Sequence, residues 1–287
     1  MQYAFIREHA AEYPVRRQCR VLEVAESGYY AWLRAQPSAR QQADEQLLGA
    51  IQAIYQQHRR LYGSPRIHAE LKKQGWSCSR KRVARLMRQA HLASVRQGHR
   101  RHQTSDSKHP YAVATNVLDR QFEAQRPNQK WVADMTYIPT QNGWLYLAAV
   151  LDLFSRRIIG WAMSAHCDAR LVQNALHMAL SHRQPRADLL HHSDRGSQYA
   201  AHSYQALLAD QHITVSMSRK GNCYDNAVME SFFRTLKAEC VHLHAFQSRS
   251  QARAVIFEFL EVYYNRRRLH STLAYCTPAA FEAAFSH

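Results

Sequence analysis

A carboxylate stands in the middle of the most strand-like stretch of this chain. Trp131-Val-Ala-Asp-Met-Thr-Tyr-Ile138 is dense in β-branched and aromatic residues. Trp144-Leu-Tyr-Leu-Ala-Ala-Val-Leu151 follows it across Gln141-Asn-Gly143, a hairpin turn sequence. Both runs predict strands of a buried sheet. An aspartate inside such a strand, Asp134, is costly unless it is paired or binds a cation. Beyond the hairpin, residues 157–163 predict a third strand, 169–182 a helix, 189–192 a strand ending near Asp194, and 203–210 a helix. A strand at 213–217 and two helices, about 224–241 and 250–264, complete the pattern.

The order βββαβαβα is a three-stranded meander followed by right-handed crossovers. It predicts an α/β domain of ribonuclease-H-like layout over residues 120–287, a mixed five-stranded sheet flanked by helices. The front of the chain has a different texture and predicts all-α helix-turn-helix modules. Residues 1–34 form a small helical unit in which Tyr29, Tyr30 and Trp32 are expected in the core. A polar linker follows at 35–43. Residues 44–92 predict three helices, with Leu47, Ile51, Ile54 and Tyr55 on one face of the first. Ser64 is expected to cap the second, with Pro65 in its first turn, and Ser79 the third. Residues 93–119 predict a basic linker, since 93–110 hold almost nothing to bury.

Charge supports this division. The chain carries +16 overall, +11 of it in residues 1–125 and +5 in residues 126–287. A basic front half points to a polyanion, most plausibly nucleic acid. The third helix of the 44–92 module offers Arg80, Lys81, Arg82 and Arg85 as DNA-binding residues. No apolar run approaches the roughly 20 residues a bilayer span needs, and the N-terminus lacks a signal-peptide core. A cytoplasmic protein is expected, with no membrane partner. The six cysteines form no CxxC unit, which argues against a zinc ribbon or a redox pair.

Asp194 is expected at the end of the fourth strand and Glu230 inside the helix at about 224–241. With Asp134 they would make an oxygen-rich pocket for Mg²⁺, plausibly two ions, with Mn²⁺ able to substitute. Asp152 is a rival carboxylate, for which pairing with Arg156 or Arg157 is expected. His192 is expected as a packed strand histidine. Arg266-Arg-Arg268 suits either DNA contact or a helix C-terminus.

The flanking strings are more specific than the spacing. His191-His-Ser-Asp-Arg-Gly-Ser-Gln-Tyr199, Gly221-Asn-Cys-Tyr-Asp-Asn-Ala-Val-Met-Glu-Ser-Phe-Phe-Arg-Thr-Leu-Lys237 and Trp131 to Pro139 resemble the integrase-core (DDE) transposases of bacterial insertion sequences. The likeness is to the OrfB-type subunit of two-reading-frame elements, and it covers nearly the whole chain. His58 to His68 with Arg80 to Met87 resembles that family's helix-turn-helix module. Tyr264-Asn-Arg-Arg-Arg-Leu-His-Ser-Thr-Leu273 resembles its C-terminal motif. The resemblance implies Asp134, Asp194 and Glu230 as a catalytic, metal-holding triad. It also implies a basic DNA-contacting residue at Lys237, seven residues after Glu230 and so on the same helix face, roughly 10 Å away. Implied partners are the element's inverted-repeat ends, target DNA, an upstream-frame subunit or fusion, and further copies of the chain on DNA. The alternative is a catalytically silent DNA-binding regulator.

Overall fold

The computed structural model describes residues 2–34, 36, 38–94, 109–185 and 188–285. Three short helices, α1 (Gln2–Glu8), α2 (Val15–Val21) and α3 (Glu26–Arg34), enclose a small core of Ile6, Cys19 and Tyr29. Tyr30 and Trp32, expected in that core, are substantially exposed. Helix α4 (Ala39–Gln57) begins inside the segment expected as a linker. Ser38 and Gln41 close a capping box there: Ser38 N donates to Gln41 Oε1 (2.7 Å), and Gln41 N donates to Ser38 Oγ (3.3 Å). Helices α5 (Ser64–Lys73) and α6 (Arg80–Gln89) follow. Ser79 caps α6 as expected, through Arg82 N. The residue preceding α5 is Gly63, one earlier than expected, and it makes no side-chain cap.

The sheet comprises β1 (Lys130–Thr140), β2 (Gly143–Asp152), β3 (Ile158–Ser164), β4 (Leu190–Ser193) and β5 (Thr214–Met217), in the order β3-β2-β1-β4-β5. The meander is antiparallel, and β4 and β5 are parallel to β1. Helices α7 (Ala169–Arg183), α8 (Ser197–Ala200) and α9 (His202–Asp210) cover one face, over Trp131, Ala133, Ala148 and Val150. Helix α7 lies hard against β3. A Cβ on Gly160 would stand 2.3 Å from the Ala175 carbonyl oxygen, so only glycine admits this approach. Helices α10 (Ala227–Glu239) and α11 (Arg249–Phe257) cover the other face, over Val132, Ile138, Leu145 and Leu147. The helix expected at 224–241 thus starts later, after a 3-10 turn at Cys223–Asn226. That expected at 250–264 continues from α11 as a π-helix, Glu258–Tyr264. A last helix, α12 (Pro278–Ala283), was not anticipated. Among the described residues no helix is long and apolar enough to cross a membrane.

Two other expectations change. Residues 95–108 of the proposed linker lie outside the described residues, but its C-terminal part is built into the core. Leu118 is buried, and the backbone N–H groups of Val117 and Leu118 both donate to Ser216 Oγ (2.9 and 3.0 Å). Asp152 is fully buried, yet its carboxylate pairs with neither Arg156 nor Arg157. It accepts from the backbone N–H groups of Asn128 and Phe154, both at 2.8 Å, tying the end of β2 to the approach of β1. Arg157 goes instead to Glu282.

Helices α4–α6 share one continuous hydrophobic cluster with the sheet's α10–α11 face. The contact is made by the two arginine-rich motifs. Tyr62 Oη donates to the Arg267 carbonyl (3.2 Å) and accepts from Leu269 N (2.8 Å), and Arg66 Nε donates to the Leu269 carbonyl (3.0 Å). Arg268 is buried and bidentate on Glu239, with both contacts at 2.7 Å, so it serves neither DNA nor a helix end. The His58 ring stacks on Tyr62 at 3.9 Å between centroids.

Burial, together with the charges of Arg267, Lys73 and Arg66, lowers the pKa of His58 to about 4. Above pH 6.5 it is neutral in both the folded and the unfolded chain. As pH falls towards 4, only the unfolded chain takes up the proton, so stability is lost across that window. His58→Phe keeps the stack and removes the titration. Denaturant midpoints measured from pH 7 to pH 4 should fall less steeply for His58→Phe than for the parent; an identical fall would contradict the assignment.

Candidate active site

Register brings the two aspartates together. In the parallel pairing of β1 with β4, Trp131 lies beside His191 and Val132 beside His192. The same stagger carries Asp194, just past the end of β4, level with Asp134. Gly196 lets the chain close over the Asp194 carboxylate: its N–H donates to Asp194 Oδ1 (2.9 Å), and a Cβ there would crowd the same oxygen at 3.0 Å. Asp134 Oδ1 accepts from Met135 N (2.7 Å). In β4, His192 is fully buried between Ser216 Oγ (2.8 Å) and Ser218 Oγ (3.1 Å), a packed strand histidine as expected.

Glu230 projects from the first turns of α10. Burial, then the charge of Asp194 and more weakly that of Glu230, holds the Asp134 carboxyl well above the usual carboxylate range. Burial raises Glu230 as well. Lys237 acts in the opposite sense on Asp134. Its Nζ lies 5.0 Å from the centre of the Tyr137 ring; burial lowers its pKa, and the charge of Asp134 partly offsets this. Glu239, the acidic residue two positions after Lys237, is held by Arg268 and Arg66.

The carboxylates are brought to one end of the sheet without forming a closed cage. Among the described residues no three acidic, histidine or cysteine side chains are grouped tightly enough to enclose a metal ion. Carboxylate oxygens are the donor type of a hard cation such as Mg²⁺, which takes one or two carboxylates and completes its shell with water and phosphate oxygens. The mutual repulsion of Asp134 and Asp194 is the chemistry such a cation relieves.

Two neighbours of this site were not singled out from the sequence. Asp225 is fully buried and accepts from Arg219 N, Nε and Nη2 (2.9 Å each), Arg120 Nε (3.0 Å) and Asn116 Nδ2 (2.9 Å). Asn226 Nδ2 donates to the Ala133 carbonyl at 3.2 Å. Both lie in the string that contains Glu230, but a string does not tell a ligand from a support.

The proposed DNA-binding residues divide into two kinds. Arg82 Nε and Arg85 Nη2 are held by the Asp44 carboxylate at 2.7 and 2.6 Å, joining α6 to α4. Arg80 and Lys81 are exposed. An open concavity lined by Arg40, Ala43, Ser79, Lys81, Arg82 and Arg85 lies between the starts of the two helices.

With this geometry in view, comparison with known proteins is decisive. Residues 124–223 and 211–278 match models of the integrase core domain, and residues 42–101 match an HTH-like domain. The chain is 43% identical over 284 residues to the transposase InsF for insertion sequence IS3A of Escherichia coli (strain K12), covering 98% of both chains. The chain belongs to the integrase-core transposases of bacterial insertion sequences. It is also 44% identical over 267 residues to the insertion element IS600 uncharacterized 31 kDa protein of Shigella sonnei, covering 93% of this chain and 98% of that one. A solved structure of the HTLV-2 integrase catalytic core domain in complex with magnesium matches with a TM-score of 0.41 and 16% identity, over 56% of this chain and 99% of that chain.

Because burial, and after it the charges of Asp194 and Glu230, disfavour the ionised Asp134 carboxyl, this residue carries a stability cost at neutral pH. In EDTA at neutral pH, Asp134→Asn should raise the thermal midpoint by a few degrees. Below the pKa of the unfolded carboxyl, near 3.8, the gain should vanish, since Asp134 is then protonated in both states. A lowered midpoint at neutral pH would contradict the repulsion.

Proposed function

We propose that this transposase binds the inverted-repeat ends of its element and catalyses DNA strand cleavage and strand transfer, with Asp134, Asp194 and Glu230 as the catalytic and metal-holding residues. The observation that carries the reading is the parallel register that sets Asp194 beside Asp134, with its rise in the Asp134 pKa. One or two Mg²⁺ ions, or Mn²⁺ in their place, would be held by these carboxylates. When bound, the metal supplies Lewis-acid activation of the attacking oxygen and neutralises charge on the leaving one. The chain's own residues do the rest. Asp134 and Asp194 would hold the cation at the end of β4, and the cation's charge would keep Asp134 ionised against the shift set by burial. Glu230 approaches the same end from α10. Lys237, steadied over Tyr137, places a positive charge where the phosphate beside the scissile one would lie. Cleavage is attack by water, and joining is attack by the freed 3′-hydroxyl on a second phosphodiester. The enzyme acts in the bacterial cytoplasm at the nucleoid, as several copies on DNA, together with an upstream-frame subunit or as a fusion to it.

Asp134→Asn, Asp194→Asn and Glu230→Gln each remove a ligand charge and keep shape. Cleavage and joining of labelled element ends should each fall by at least about a hundredfold, the upper range for disrupting a metal site's supporting groups, while binding in gel-shift assays persists. Undiminished joining in any one variant removes that residue from the site. If the parent protein binds ends but neither cleaves nor joins them, the silent-regulator reading is favoured.

The exposed cations of α6 supply affinity through phosphate contacts. Each contact contributes a slope of about −0.9 to log K against log salt. Reversing Arg80 and Lys81 to Glu in the full chain should weaken binding to element ends and make that slope shallower by about two. Binding that keeps its strength and slope would place the DNA contact elsewhere.

A further inference from the structure

Directly before the catalytic helix, two adjacent side chains point in different directions and fasten to different parts of the molecule. Asn226 stands where α10 begins, a position at which an asparagine side chain ordinarily caps the first turn. Here it makes no such cap. Its Nδ2 is turned across to the Ala133 carbonyl, the residue before Asp134, and its Oδ1 is buried without a hydrogen-bond partner. A buried amide that forgoes both a cap and one of its own hydrogen bonds is committed to the strand it touches. Glu230 follows four residues later, one turn or about 6 Å up the helix.

Asp225 faces the other way. Its five contacts gather Arg219 from the loop before α10, and Asn116 and Arg120 from the segment at which the chain leaving the helical half enters the core. Arg219 also reaches Asp119 at 3.1 Å. The same segment is held from β5 by Ser216, the serine that also contacts His192.

We infer that Asp225 and Asn226 are positioning residues that set Glu230 against Asp134, with Asn226 fixing the start of α10 to β1 and Asp225 fixing it to residues 116–120. The pair places the third carboxylate relative to the first without touching substrate. It also makes the placement depend on how the chain enters the core, so that a shift of residues 116–120 moves the catalytic helix. This rests on the reading of Asp134, Asp194 and Glu230 as a divalent-cation site.

The test uses the full chain and two titrations, thermal midpoint against MgCl₂ and cleavage of labelled ends against MgCl₂. Asn226→Ala should keep a cooperative transition in EDTA, while the half-saturating Mg²⁺ concentration rises about tenfold in both titrations, as for loss of a group that orients a ligand. Asp225→Asn, which preserves shape but weakens the arginine contacts, should shift both in the same direction by less. An anchor with only a structural role would lower the EDTA midpoint and leave the half-saturating concentration unchanged; that result in both variants overturns the inference. Asp134→Asn separates the two levels of the argument. If it responds to Mg²⁺ as the parent does, the cation-site reading itself fails, and this inference with it. If it loses the response while Asn226→Ala and Asp225→Asn respond normally, only the positioning role fails.

Discussion

The parallel pairing of β1 with β4 holds two carboxylates side by side, and much of the surrounding structure supports that arrangement. Burial, and after it the charge of Asp194, disfavours the ionised form of Asp134. Such a pairing persists only where the strands that bear the two groups are held in place. Here they are. Both faces of the sheet are covered by apolar helices, and α7 approaches β3 so closely that Gly160 has no space for a methyl group. His192 ties β4 to β5 and the residue just beyond it through Ser216 and Ser218.

The sheet and its carboxylates were legible because they follow from period and topology. Density of β-branched, aromatic and other apolar residues marked β1 and β2, the Asn-Gly turn joined them, and a charged residue in the strand marked the site. The order of elements then placed the end of β4 beside β1. What stayed hidden depended on contacts between residues far apart in sequence. Asp225 and Glu230 are both acidic residues in one dense string, yet one is a buried support for two arginines and the other opens to the site. Asp152 was recognised as structural, but its partners are backbone N–H groups of a turn, which leave no mark on composition. Helix α4 began early because Gln41, ordinary in a polar linker, completes a capping box with Ser38.

Arginines in this chain cannot be read as DNA contacts by number alone. Arg82, Arg85, Arg219 and Arg268 all spend their guanidinium groups on carboxylates. A fork suited to phosphate is equally suited to a buried carboxylate, and the choice is made by where an aspartate or glutamate happens to lie. Asp44 takes two cations from the face of α6 that looked most suited to DNA. Its burden is structural, because α4 and α6 bury Leu47, Ile51, Val83 and Leu86 in a shared core and need their polar rims matched. Of the exposed cations that remain on α6, Arg80 and Lys81 lie at its start, near the open concavity, and Arg88 at its last turn.

The same partition explains why two arginine-rich motifs so far apart in sequence belong together. Glu239, at the last turn of α10, receives Arg268 from the C-terminal motif and Arg66 from α5. Tyr62 bonds the backbone of the C-terminal motif on both sides of Arg268. A carboxylate at the end of α10 is therefore the meeting point of the helix-turn-helix module and the C-terminal segment. Removing Glu239 would leave Arg268 buried and unpaired, a loss of about 3–5 kcal/mol in comparable cases. Helix α10 is thus secured at both ends, by Asp225 and Asn226 at its start and by Glu239 at its finish. Glu230 and Lys237 lie between these two attachments, on a helix whose placement depends on both ends of the chain.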